Sequence, residues 1–531
     1  MLVLMGAHRI EVPQRNARRD AAIAGFTGIA GATGALAVLG LFAPGSPFPP
    51  FQLAQSFVQA APGVLATFFI EHLGHLALPL GVVAFSAVFL SSGALFGLLI
   101  PGLERAFGGR TYLACLVALS PVWLAWFALA PAAARSAHIG GYLLSGIVAA
   151  LLAPAVASHV RSRLKEAPAL EGPADQSRRY LFRASAAGIG GILLGASGLS
   201  RAVRPGSDPG SKKLVARDLS PAPRPSTAPA DAAFSRIPGL TSEVTSVSDF
   251  YTVDEAFVDP SLDAATWKLS VEGLLGGTVA LTYDELTAMP AVERYQTLEC
   301  ISNPVGGDLI STTRWTGVPL KEILTKAGMP TEVVEVVFRS ADGYSDSLPI
   351  EKAMDETTLI AIGMDGNALP RAHGFPARVL SLGTYGMKNP KWLTSIEVVS
   401  KPYDGFWEQR GWSKAAVVST ASWTDVPQSA TVGRSATIAG LAFAGDRGIS
   451  RVEISTDGGA TWKDAALKSA LSPYTWRLWR FPWTPTRPGD VQVMVRAWDG
   501  DGKAQVTAEA PPHPSGSRGI DSVSVRVSEP S

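Results

Sequence analysis

Leu298-Glu299-Cys300-Ile301-Ser302-Asn303-Pro304-Val305-Gly306-Gly307 contains the only cysteine between Val203 and Ser531. The residues before this region argue that it is exported. Exported domains use cysteines mostly in disulfide pairs, and an unpaired thiol there is a liability. A single retained thiol is explained if something holds it, and a metal can, because the thiolate is the form that binds soft metals. The alternative is a buried, inert cysteine acting as a small hydrophobe. The blocks of sequence around Cys300 decide between the two.

The chain has 531 residues and a formal net charge of +1. It is too long for one domain by the usual length prior, and its charge gives no reason to expect a nucleic-acid partner. Most of the apolar excess lies before Arg201. Four runs there are long and uniformly apolar enough to span a bilayer, at Ala21–Ala43, Leu76–Ile100, Tyr112–Ala130 and Ile139–Ala157. Arg9, Arg15, Arg18 and Arg19 precede the first run, and Arg161, Arg163 and Lys165 follow the fourth. The positive-inside rule therefore puts both ends of this region, 1–160, in the cytoplasm.

Segment 161–200 carries Ser177-Arg178-Arg179-Tyr180-Leu181-Phe182-Arg183 and then the Ala/Gly/Leu-rich run Ala184–Leu199. This resembles a twin-arginine targeting signal, with the usual Phe-Leu order reversed, retained as a fifth span. That pathway moves folded proteins, often ones already loaded with a cofactor. Residues 201–245 are rich in Pro, Ser and Ala and read as a mobile linker. The expected location is thus a bacterial cytoplasmic membrane, multi-pass, with everything after the linker on the extracytoplasmic side.

From 246 to 402 the pattern is α+β. Trp267–Gly273 alternates as a strand, Thr282–Leu286 starts a short helix, Pro319–Ala327 is a helix closed by Gly328, and Glu332–Arg339 and Arg378–Leu382 are strands. From 403 to 531 the pattern is all-β, with strands at Ala436–Gly440, Ile449–Ser455 and Val491–Trp498 at the spacing of an immunoglobulin-like sandwich.

Several separate blocks, in order, resemble the sulfite oxidase superfamily of molybdopterin enzymes. They are Thr297–Asn303, Thr313–Leu320, Ala341–Pro349, Leu369–Arg378 and Gly386–Leu393, and Ser450–Gly459 resembles the family's dimerisation domain. The resemblance implies a molybdenum-molybdopterin cofactor, with Cys300 ligating the metal alongside the two dithiolene sulfurs. It implies that His373, Arg378 and Lys391 hold the pterin and its phosphate, a task that suits charge-assisted donors. Asn303 would bond the pterin or support the loop. Tyr344 would hydrogen-bond a metal oxo group or substrate. A homodimer through the sandwich is also implied.

Two departures bear on substrate. The family's sulfite-binding arginine five residues past the cysteine is Val305 here. The family's Arg-Asn-His run after an aromatic pair is replaced, behind Phe250-Tyr251, by Thr252-Val253-Asp254-Glu255. A dianion loses electrostatic stabilisation without those bases.

The expected function is two-electron, oxygen-atom-transfer chemistry on a small-molecule substrate, either oxidation of an inorganic sulfur species or reduction of a compound such as a sulfoxide. No haem-attachment or cluster motif occurs in the sequence, so a separate cytochrome or quinone is the expected electron partner. His72 and His75 near one span and His138 near another invite a membrane haem, but histidines at an interface are ordinarily solvated. The competing reading is a non-enzymatic exported binding or adhesion protein. It has no use for Cys300 together with His373, Arg378 and Lys391.

Overall fold

A computed structural model describes residues 17–42, 49–60, 65, 68, 77–129, 139–166 and most of 208–530. The twin-arginine-like segment, the fifth apolar run, His72, His75 and His138 lie outside the described residues. The chain divides into two units, one of which includes 73–206 and the other 207–531.

The first unit is helical: α1 (Ala17–Phe42), α2 (Pro49–Ala60), α3 (Ala77–Gly97), α4 (Ile100–Ala106), α5 (Thr111–Leu129) and α6 (Ile139–Glu166). Four helical stretches are long and apolar enough to cross a membrane. They coincide with the four runs read from sequence, although α6 extends further, to Glu166. The link between the first two spans holds a helix, α2, that its lack of charge did not announce. Close packing of α1 on α3 depends on small residues: a Cβ on Gly25 would lie 2.1 Å from the carbonyl oxygen of Gly93. Leucines such as Leu124 and Leu151 face outward.

The second unit begins before the expected boundary. β1 (Leu219–Ser220) pairs in parallel with β4 (Ala291–Glu299), after β2 (Lys268–Gly273) and β3 (Val279–Thr282) in the chain. Phe234 is buried in a core that includes Trp412, Trp423 and Trp476. Asp231 accepts a hydrogen bond from the Ser469 amide at 2.9 Å. The expected mobile linker is therefore corrected over its described residues, which are docked on the globular unit. Its Pro/Ser/Ala composition hid one buried aromatic and one long-range cap.

β5 (Ile310–Pro319), β6 (Glu335–Ser340), β7 (Ser345–Pro349), β8 (Leu359–Met364), β9 (Asn367–Ala368), β10 (Arg378–Leu380) and β11 (Leu393–Val399) complete two sheets. One runs β1-β4-β5-β8-β10, with β9 on β8, and the other runs β3-β2-β11-β6-β7. They enclose Leu269, Val318, Ile323, Val336, Ile360 and Ile396. Short helices seal the edges. The helix Tyr283–Thr287 starts with a capping box between Thr282 and Glu285, and Leu320–Lys326 stops at Gly328, whose φ is +74°.

The C-terminal part is all-β, as expected: β12 (Ala421–Val426), β13 (Ser429–Thr431), β14 (Ala436–Phe443), β15 (Ile449–Ser455), β16 (Lys463–Asp464), β17 (Ala466–Leu467), β18 (Arg477–Trp483), β19 (Gly489–Asp499) and β20 (Asp521–Ser528). Its sheets, β12-β14-β18-β17 and β13-β20-β19-β15-β16, share a core of Ile438, Val452, Trp479, Val493 and Val525. Alternating apolar residues along β19 and β20 supply the inward face.

Candidate active site

Cys300 is the first residue beyond β4. Register with β5, Leu298 on Ser311 and Glu299 on Ile310, carries the strand to the cysteine. The Cys300 amide then donates to the Leu309 carbonyl at 2.9 Å. The loop between them is closed by Asn303, whose Oδ1 accepts from the Leu309 amide at 3.0 Å and whose Nδ2 donates to Glu299 Oε1 at 3.1 Å. The thiol, 8% exposed, sits 3.0 Å from the Ser302 hydroxyl. Burial raises its pKa.

Opposite the thiol, the backbone comes close at Gly386. A Cβ there would lie 2.9 Å from Tyr251 Oη and 3.9 Å from Cys300 Cα. A second glycine gathers the bases. Gly374, with φ +106°, ends the turn Arg371–His373, and a Cβ on it would meet Lys391 Cβ at 3.0 Å and Arg378 Cβ at 3.2 Å. Only glycine allows these residues to converge here. Trp392, next to Lys391, holds φ +51° and is fixed by its indole N–H on the Arg371 carbonyl at 2.8 Å. Such strain persists where surroundings over-determine it, commonly at sites.

The result is one cleft lined by Cys300, Tyr344, His373, Arg378 and Lys391 among others. The structure thus brings together five of the six residues singled out from sequence. Asn303 is the exception: both ends of its amide serve the loop, so of its two expected roles the structure supports the second. Tyr344 lines the cleft, but its hydroxyl is placed on Asp346 at 3.1 Å and on the Met387 carbonyl at 2.8 Å, not toward an open position. Val305 is 37% exposed and is not among the lining residues.

Arg378 is 6% exposed. Its terminal nitrogens donate to the carbonyls of His373 at 3.3 Å and Asn389 at 3.1 Å, and its Nε, also buried, has no partner. Among the described residues no carboxylate ion-pairs with it. Burial pulls its pKa down to about 10. Burial, then Arg378 and Lys391, hold His373 down at about 4, with Nε2 against the Val247 carbonyl at 3.2 Å. Lys391 ion-pairs with Asp254 and donates to the Ala372 carbonyl at 2.8 Å. A buried guanidinium with an unused donor, beside a neutral imidazole and a lysine, is an incomplete anion site.

Sequence reasoning singled out the bases and passed over the acids. Asp254, Glu255 and Asp342 also line the cleft. Burial pushes Glu255 up to about 9 and Asp342 up to about 7. Behind Tyr344, buried Lys388 is held between Asp346 and Glu408. The signal for two of these was present: Asp254 and Glu255 replace the basic run of the family pattern.

Residues 256–407 match the family model described as the oxidoreductase molybdopterin binding domain, and 412–510 match the Mo-co oxidoreductase dimerisation domain. Mitochondrial sulfite oxidase of Mus musculus is 30% identical over 302 residues, which is 48% of this chain and 55% of the mouse protein. An uncharacterized oxidoreductase of Bacillus subtilis is 29% identical, covering 33% of this chain and 86% of its own. Among solved structures, the sulfane dehydrogenase SoxCD from Paracoccus pantotrophus is similar at 22% identity and a TM-score of 0.48, covering 53% of this chain and 81% of that one. Residues 256–510 belong to the sulfite oxidase superfamily, as a molybdopterin oxidoreductase module of sulfite oxidase type. The chain spans about half the length of the mammalian relatives it matches.

The residues present fit that cofactor. Arg378 offers a buried, unsatisfied donor for a phosphate, and Cys300 offers a buried thiol at the floor of the same cleft. Among the described residues no cluster of three His, Cys, Asp or Glu side chains could cage a metal alone.

Proposed function

We propose that this chain is a membrane-anchored molybdenum-cofactor oxidoreductase that carries out two-electron, oxygen-atom-transfer chemistry on a small molecule outside a bacterial cytoplasmic membrane. When bound, the cofactor supplies the redox centre and the oxygen-transfer chemistry. The chain's residues do the rest. Cys300 ligates the metal as a thiolate. Arg378 and Lys391 hold the phosphate, and neutral His373 bonds the pterin. Gly386 and Tyr251 keep the wall beside the thiol tight, so that water is excluded. Tyr344 positions Asp346 and the Met387 backbone. Electrons pass to or from a separate cytochrome or quinone. The sandwich, immunoglobulin-like in this reading, joins two copies.

The observation that carries this reading is the convergence of Cys300 and the unpaired guanidinium of Arg378 on one cleft. The test is molybdenum and pterin content of the full-length, natively exported protein, with Cys300→Ser beside it. About one of each per chain in the parent, with less molybdenum, or molybdenum in an altered coordination, in the variant, is expected. A well-folded, mature parent without molybdenum would contradict it. The full chain is the right sample, because a fragment starting at residue 246 would lose the docked segment around Phe234.

A further inference from the structure

Among the described residues two tyrosines line the cleft, Tyr251 and Tyr344. Tyr344 comes from the turn between β6 and β7. Its hydroxyl has one proton and already faces two acceptors, Asp346 Oδ2 at 3.1 Å and the Met387 carbonyl at 2.8 Å. No proton is left for a third acceptor in the cleft. Tyr251 comes from the segment before β2. Among the described residues its hydroxyl has no hydrogen-bond partner. One carbon added to Gly386 would press on that hydroxyl at 2.9 Å and also touch Cys300 Cα at 3.9 Å. The uncommitted phenol therefore sits beside the cysteine.

The chain fixes it there. The Tyr251 amide donates to Ser311 Oγ at 3.1 Å, and Ser311 lies opposite Leu298 on the strand pair that carries Cys300. The Tyr251 ring stacks on Phe250, with centroids 5.6 Å apart at 15°, and Phe250 is edge-on to both Trp315 and His373. A donor whose backbone and ring are both held is oriented before anything binds. Resting on the reading of this cleft as the molybdopterin site, we propose that Tyr251 is a catalytic residue: its phenol donates the hydrogen bond to the reacting oxygen beside the metal held by Cys300, while Tyr344 braces the wall through Asp346 and the Met387 carbonyl. Such a bond draws charge onto that oxygen and weakens its bond to the metal.

The test is resonance Raman spectroscopy of the detergent-solubilised full-length holoenzyme. Each sample is reduced and reoxidised in ordinary or heavy-oxygen water, so that the metal–oxygen band is known by its isotope shift, and its molybdenum is measured. Tyr251→Phe keeps the ring on Phe250 and removes the donor. It is expected to move the band to higher frequency, and Tyr344→Phe to leave it at the parent position. Gly386→Ala displaces the Tyr251 hydroxyl without deleting it and is expected to move the band the same way, which answers the question if Tyr251→Phe fails to fold. In molybdenum-loaded samples, a band unmoved by Tyr251→Phe and Gly386→Ala, or moved as far by Tyr344→Phe, would overturn the proposal. A parent without molybdenum, or loaded with no exchanging metal–oxygen band, would instead overturn the reading on which it rests.

Discussion

In the helical unit Glu104 meets Arg161 at 3.4 Å and Lys165 at 2.8 Å, whereas in the cleft Arg378 donates to backbone carbonyls and lies over the Trp315 ring, 5.3 Å from its centroid, with no carboxylate ion-paired to it among the described residues. Both arginines are buried to a similar degree, at 4% and 6% exposed. The first has its counter-charge within the protein, although its Nε, like that of Arg378, is buried without a partner, and it ties α6 to α4, and through the Ala17 carbonyl at 3.1 Å to the start of α1. The second is incomplete. Burying a charge without a counter-charge is unfavourable by several kcal/mol, so a fold that retains one points to a partner outside the chain. Arg161 is therefore read as structure and Arg378 as function.

The sharpest way to break this contrast is to neutralise each arginine site. Arg378→Met should lower pterin content at least tenfold while leaving the apo protein as stable as the parent or more so, because an unpaired buried charge has been removed. Pterin assay and chemical denaturation read the two halves of that statement. Glu104→Gln should do the opposite. It strands Arg161, costs about 3 kcal/mol in a detergent unfolding titration, and leaves cofactor content unchanged.

Acid sensitivity sharpens the same contrast. The folded pKa of His373, about 4, lies below its ordinary 6.5. As pH falls, the unfolded chain therefore takes the proton first. The contribution of neutral His373 is intact above about pH 6.5 and lost as pH falls through about 4, a change of roughly 3 kcal/mol. The apo protein should lose that stability between pH 7 and 4, and His373→Gln should lose less. The cofactor-loaded form should also lose less, since a phosphate beside the ring favours its proton. The smallest effect concerns the loop. Asn303→Ala removes two bonds and should cost about 2 kcal/mol with molybdenum still bound, as measured by denaturation and metal assay.

Much of this was legible in sequence because it is local. The uniform apolar runs gave the four long apolar helices, Thr282–Leu286 gave the start of a short helix, and Gly328 gave a helix end. Cys300, His373, Arg378 and Lys391 were found through blocks of residues and proved to share a cleft. What could not be read depends on contacts far apart in the chain. Phe234 looks like part of a flexible tether until Trp412 and Trp476 are brought over it. Asn303 could face either way, and only the register of β4 on β5 turns its amide into the loop. Asp342 lies some 90 residues from Glu255 in the sequence, so nothing local joins the two into an acidic wall.

The account turns on Cys300 holding the metal of a cofactor whose phosphate completes Arg378. The most direct measurement is X-ray absorption at the molybdenum edge on full-length parent and Cys300→Ser, each matched for bound metal. One sulfur scatterer fewer in the variant is predicted. The same sulfur count in both would contradict ligation by Cys300.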